Sequence, residues 1–180
     1  MENIILETQK KLKKELSIEN IMRSPKIEKI VVNVGFGKEL NDKKSVETIF
    51  KNLGKITGQK PSPRKAKKAI ASFKIREDQI IGAKVTLRGK KMIAFYQKLV
   101  NIVLPRVRDF RGMPNKSFDG NGNYTLGFEE MNVFPEIEYR KGEKQFGFEI
   151  TIKTSTKSDK EAKKLLETMG LPFKKEDRES

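Results

Sequence analysis

Sixteen basic side chains and one acid fall within residues 59–76 and 84–116, and no other feature constrains the fold as much. The first segment holds seven lysines and arginines and no acid; the second holds nine, with Asp109 as its one acid. Together they account for the whole formal net charge of +15, because the remaining residues cancel. Unpaired cations are not buried. These segments therefore form a positive surface block on an otherwise neutral protein. Solubility alone would be served by mixed signs. A block of one sign points to a polyanion. Nucleic acid fits better than an anionic membrane, which calls for a basic amphipathic helix rather than basic loops.

The missing residue types exclude much chemistry. There is no Cys, no His and no Trp among the 180 residues. That removes disulfides, thiol nucleophiles, thiolate zinc sites and imidazole acid–base work. The acids lie mostly outside the basic block, which speaks against a metal-dependent RNA-processing enzyme. No catalytic residue, metal ligand or cofactor is expected. A hydrophobic share of 36% supports a modest core. The expected organisation is one domain over residues 1–173 and a polar tail at 174–180, disordered. No stretch approaches the roughly 18–20 apolar residues that span a bilayer. The opening MENIILETQKKLKKEL has the wrong order for a secretory signal, so a cytoplasmic protein is expected, with no membrane partner and no homo-oligomer.

Periodicity predicts the elements. Ile5, Leu12 and Leu16 share a helical face over 2–16, and Ser24-Pro25 breaks the chain. Residues 27–37 read as a strand with Ile30, Val32, Val34 and Phe36 on one side and Val31, Asn33, Gly35 and Gly37 on the other. A helix is predicted over 42–57, capped by Asn41 or Asp42 and ended by Gly58. Residues 59–68 read as a basic loop stiffened by two prolines, 69–76 as a strand, and Glu77-Asp78 as a turn. The next strand, 80–88, puts Ala83, Val85 and Leu87 on one side and Lys84, Thr86 and Arg88 on the other. A helix over 90–104 is stopped by Pro105. A long loop follows over 105–123, a length that is usually functional or disordered. Strands are predicted at 124–131 and 145–154. The last helix starts with a Ser158–Glu161 capping box and ends at Gly170 and Pro172. The pattern is α+β with a largely antiparallel sheet.

Several residues stand out as candidates for binding. Asn33 is a polar residue in an apolar strand, and its face-mates are glycines that leave the backbone open to close approach; a solvated sheet face explains it equally well. Lys84, Thr86 and Arg88 offer cationic and hydroxyl groups on another strand. Arg64, Lys65, Lys67 and Lys68 crowd the basic loop. Such groups, with an aromatic for base stacking, make an RNA platform. Phe73 could supply that ring, although it shares its side with Ala69, Ala71 and Ile75, and for a Phe in a strand the core is the better reading. In RVRDFRG, Arg106, Arg108 and Arg111 exceed what a helix terminus needs and suit phosphate. Asp119, Asn121, Asn123 and Glu130 have calcium-loop spacing, but Tyr124 stands where that loop needs glycine. An RRM-type order can be drawn through 27–153, but its paired aromatic signature is missing.

The blocks KIVVNVGFG, LGKITGQKP, RKAKKAIASFKIRE, IGAKVTLRG, LPRVRDFRG, SFDGNGNYTLGFEE, FPEIEY and LLETMGLPF, in this order, closely resemble the family of bacterial large-subunit ribosomal protein five, the 5S-rRNA-binding protein. The resemblance covers about residues 3–174. It implies an antiparallel sheet with helices on one side and a concave RNA-binding face. It implies attachment of 5S rRNA in the central protuberance of the ribosome. The implied further partners are 23S rRNA, P-site tRNA, small-subunit protein thirteen across an intersubunit bridge, and neighbouring 5S-binding large-subunit proteins. By matching positions it assigns Asn33, Gln59, Phe73 and Thr86 to the RNA face. It places a hairpin of residues 74–82 (Lys74, Ile75, Arg76, Glu77, Asp78, Gln79, Ile80, Ile81 and Gly82) toward the tRNA. Asn121 stands where many members carry Arg, Arg140 where Asp is common, and KEDRES is an additional end.

Overall fold

The computed structural model describes residues 2–37, 43–108, 110–137 and 145–174. The expected cap at Asn41 or Asp42, the Arg140 position and tail residues 175–180 lie outside the described residues. The chain is α+β. Five strands form an antiparallel sheet in the order β2-β3-β1-β5-β4: β1 Ile27–Gly35, β2 Ser62–Lys65, β3 Ile80–Leu87, β4 Tyr124–Phe128 and β5 Phe148–Thr154. The helices are α1 Glu2–Glu15, α2 Lys43–Thr57, α3 Gly89–Lys98, α4 Leu104–Arg106 and α5 Asp159–Thr168. The contacts cluster into two compact units, residues 1–30, 88–126 and 151–180, and residues 31–87 and 127–150.

In the unit of residues 31–87 and 127–150, strand alternation does the sorting. Val32, Val34 and Phe36 are buried, as are Ala83, Val85 and Leu87 of β3. The α2 stripe Ile49, Leu53 and Ile56 is buried with them, since α2 packs on β3. Burial of each such side chain is worth about 1.5–3 kcal/mol. Phe128 stacks on Phe148 at 4.9 Å, and Phe134 closes on the same ring at 5.5 Å.

The basic segment departs from expectation here. Residues 69–76 are not a strand. Ile70 and Ile75 pair across a tight turn, Ala71–Phe73 is a 3-10 turn, and Lys74 adopts φ +53°. The nearby Ser62–Lys65, expected as loop, is an edge strand paired antiparallel with β3. An edge tolerates Pro63 because its outward side has no ladder to serve.

In the other unit, Leu12 of α1, Met92, Phe95 and Tyr96 of α3, and Ala162, Leu165 and Leu166 of α5 are buried. The Tyr96 hydroxyl donates to the Leu166 carbonyl at 3.4 Å, and burial pushes its pKa well up. The helix expected to stop before Pro105 runs one residue past it. Leu99–Val103 winds as a π-helix, and α4 carries the proline in its first turn and ends at Arg106. A wider turn suits a residue whose ring crowds the preceding carbonyl and which cannot donate.

Ser158 is the N-cap of α5, but its side chain makes no capping bond. Glu161 accepts instead from the Thr156 hydroxyl, which in turn accepts from Ser158 N–H. The C-terminal end is a Schellman motif: Gly170 at φ +89° bonds Glu167 O, and Leu171 bonds Leu166 O. β4 ends at Phe128 and β5 begins at Phe148, both shorter than periodicity suggested.

Candidate nucleic-acid interface

The sheet face opposite the α2-covered core carries the polar residues. Register pairs Ser62 with Lys84 and Arg64 with Gly82, so these side chains share a face with Thr86. On β1 the residues alternating with the buried valines are Val31, Asn33 and Gly35, half-buried or exposed. Strand spacing leaves no room for a side chain at Gly82, where a Cβ would meet Val34 O at 2.9 Å. A Cβ on Gly35 would meet nothing within 4 Å. The result is a strip of bare backbone among Asn33, Arg64 and Lys84. Among the described residues, neither Arg64 nor Lys84 has an ion-pair partner.

Gln59 reaches this place through the end of α2. Gly58 turns at φ +62°, and the Thr57 hydroxyl lies 2.7 Å from Leu53 O and 3.1 Å from Gln59 O. The Gln59 amide then donates to Thr86 O at 3.3 Å. The β2 register begins at Ser62 opposite Lys84, so Gln59 serves a β3 carbonyl just past the end of that ladder. Gln59 therefore has a structural partner as well as a place beside Thr86.

The segment 74–82 is not a hairpin by itself. It is the return arm of a longer one that begins in β2. Ala66 N–H bonds Gln79 O at 2.8 Å, and Ile70 and Ile75 exchange bonds at 2.9 and 3.1 Å. The Glu77-Asp78 turn is present with Asp78 at φ +62°, but it lies along the arm, not at its end. Asp78 faces Lys65 at 3.4 Å, and Gln79 accepts from Arg76 N–H at 2.9 Å. The end of the hairpin is the turn holding Phe73, which is 69% exposed and so outside the core. Lys67, Lys68, Lys74 and Arg76 around it are exposed, as are Ile70 and Ile80, while Ile75 and Ile81 are half-buried. Phe73 and Lys74 share one turn, so no structural boundary separates them.

The remaining candidates belong to the other unit. Arg88 caps α3 and is exposed, as are Arg106 at the end of α4 and Arg108 and Arg111 beyond it. Their loop is stitched to the C-terminal segment: Met113 N–H bonds Pro172 O at 2.8 Å and Lys174 N–H bonds Met113 O at 2.9 Å. Phe118, Tyr124 and Phe173 form an aromatic cluster with centroids 4.6 to 5.9 Å apart. The Tyr124 hydroxyl donates to Pro114 O, and burial pushes its pKa up to about 12.

The calcium-like spacing has another use. The Asp119 carboxylate accepts from Asn121 N–H, Asn123 N–H and the Asn123 amide, which hold its pKa low. Asp159 accepts from Gly120 N–H at 3.1 Å and Gly122 N–H at 2.7 Å. Sequence reasoning missed Asp159, because the residues around it read as a capping box, and Ser62, which carries no sequence signal. Among the described residues no group of three or more acids could hold a metal ion, and no helix is long and apolar enough to cross a membrane.

Residues 80–173 match the model of the C-terminus of the ribosomal L5 family, and residues 20–76 match that of ribosomal protein L5. The chain belongs to the ribosomal protein L5 family. Relatives named large ribosomal subunit protein uL5 share much of the sequence. That of Halothermothrix orenii is 55% identical over 91% of both chains, and that of Macrococcus caseolyticus 51% identical over 97% of both. The Fusobacterium nucleatum protein is 54% identical over 92% of this chain and 90% of its own. As an L5 protein the chain is a structural, RNA-associated component of the large subunit in the cytoplasm, not an enzyme.

Proposed function

We propose that this L5 protein binds 5S rRNA on the β2-β3-β1 face and attaches it to the large subunit in the central protuberance. The observation that carries the reading is the placing of two cations, Arg64 and Lys84, with no ion-pair partner among the described residues, beside half-buried Asn33 and Thr86 on a strip kept bare by Gly35 and Gly82. Cations hold phosphate, while amide and hydroxyl groups reach base edges and 2′-hydroxyls. Gln59 steadies the β3 end of that strip. Phe73 stacks on an unpaired base at its margin. The exposed arginines 88, 106, 108 and 111 contact 23S rRNA backbone. The hairpin arm over 74–82 faces P-site tRNA in the assembled ribosome. Small-subunit protein thirteen and neighbouring 5S-binding proteins complete the partners implied by the family.

The test is titration of the purified protein with 5S rRNA and with an unrelated RNA of equal length at two salt concentrations. Affinity should favour 5S rRNA and fall steeply with salt, by a log–log slope of roughly 0.7–0.9 per neutralised phosphate. Asn33→Ala and Thr86→Ala should each weaken 5S binding by about 1–3 kcal/mol with the melting temperature retained. Equal affinity for both RNAs, or lost folding with retained affinity, would overturn the reading.

A further inference from the structure

We propose that the outward face of α1 is a second polyanion-binding surface, which holds the sugar–phosphate backbone of an RNA duplex without reading bases. In residues 7–15 only Thr8 and Leu12 are buried, and Lys10, Lys11, Lys13 and Lys14 are all exposed. At about 100° per residue, Lys10, Lys13 and Lys14 point away from the Thr8–Leu12 stripe and Lys11 flanks them. The dipole of α1 favours Lys13 and Lys14 in its last turn but not Lys10 and Lys11. Lys10 repels Lys13 and Lys14 at the spacings where like charges destabilise a helix.

Nearby acids offset the face only in part, since exposed Glu7 stands on the same arc against four lysines. Glu15 pairs with Lys164 of α5 at 3.2 Å, on the side where the two helices pack. Glu7 is exposed and, among the described residues, has no cation at ion-pair distance. On α5 the pattern differs, since Lys160, Lys163 and Lys164 alternate with Asp159, Glu161 and Glu167.

The residue type sets the ligand. The exposed positions of residues 7–15 hold no arginine fork and no aromatic ring. Base readout and stacking need those groups, whereas lysine acts as a point charge on phosphate. Membership in a ribosomal family makes the polyanion RNA. The face lies outside the basic segments 59–76 and 84–116, and its use does not depend on where 5S rRNA binds.

The experiment uses the full chain and a blunt RNA duplex of about twenty base pairs unrelated in sequence to 5S rRNA, a length that exceeds the roughly 16 base pairs of a typical double-strand-binding domain. Lys10, Lys13 and Lys14 are changed together to Gln, and in a control Lys44, Lys51 and Lys55 of α2 are changed to Gln. The α1 variant should lose about 2 to 3 from the log–log salt slope on the duplex, three contacts at roughly 0.9 each. It should melt no lower than the parent and keep its preference for 5S rRNA. The control should change the slope by less than one contact. Equal losses in both variants would mean that net charge alone acts and would overturn the proposal, as would an unchanged slope. Loss of the 5S preference in the α1 variant would place these lysines at the 5S site and also overturn it. Failure of Asn33→Ala and Thr86→Ala to weaken 5S binding would count against the sheet-face reading and leave this one standing.

Discussion

Replacing Phe73 by Ala should separate binding from folding. The ring is 69% exposed, so only about a third of its surface has left water. Complete burial of a Phe side chain is worth about 1.5–3 kcal/mol. Truncation should therefore cost less than about 1 kcal/mol of stability, a fall of a few degrees at most in Tm for a chain of this size. A base stacked on the ring would lose about 1–3 kcal/mol. That is a rise of about 5- to 150-fold in Kd. Fluorescence anisotropy on labelled 5S rRNA at fixed salt reads the second effect, and thermal unfolding by circular dichroism reads the first. Phe73→Leu keeps apolar bulk but has no π face, and should bind like the Ala variant. A Tm loss well beyond a few degrees with affinity retained would return Phe73 to the core. Unchanged affinity with unchanged Tm would refute stacking on 5S rRNA and leave the ring to the tRNA-facing arm.

Three further outcomes concern the scaffold. Gly122→Ala forces a Cβ into the Thr156 carbonyl oxygen at φ +74° and should cost about 3 kcal/mol or more in urea unfolding; a cost under about 1 kcal/mol would refute the close approach. Among the described residues the buried Ser24 hydroxyl has no partner, so Ser24→Ala should raise stability by about 1 kcal/mol, and a loss would show that the hydroxyl is satisfied. The folded pKa of Asp119 lies below its ordinary 3.8, chiefly through the Asn123 amide. A lowered carboxylate pKa gives stability that is complete above the unfolded value and fades as pH falls through the folded one. The stability gap between the parent and Asp119→Asn should then shrink below pH 3.8 and stay constant above it; a gap that widens on acidification would refute the assignment.

Apolar alternation made β1 and β3 readable, because Val32, Val34, Ala83 and Val85 must face a core whichever neighbours they find. It made Asn33 and Thr86 readable as a polar face for the same reason. The alternation of Ala69, Ala71, Phe73 and Ile75 looked the same and meant something else: the segment folds back on itself at Ile70–Ile75, with Lys74 in a left-handed conformation that its side chain does not advertise. Ser62–Lys65 carries no apolar residue beyond Pro63 and is wholly exposed, so pairing with β3 alone makes it a strand. The Ser158–Glu161 box had a competitor two residues upstream, Thr156, whose hydroxyl takes the glutamate. A spacing rule holds no information on an upstream hydroxyl that takes the Ser158 N–H in place of the glutamate.

The stitch between Met113 and the Pro172–Lys174 segment sets an order of events during synthesis. The loop that carries Arg108 and Arg111 leaves the peptidyl transferase centre well before the residues that fasten it. Asn115 and its partner Lys174 are 59 residues apart. At about 5–20 residues per second, that interval lasts about 3–12 s. Through that time Met113 has no backbone partner in this strap, and Phe118 and Tyr124 lack the Phe173 ring that completes their cluster. The loop that carries these arginines is therefore fastened at Met113 only after Lys174 has been added.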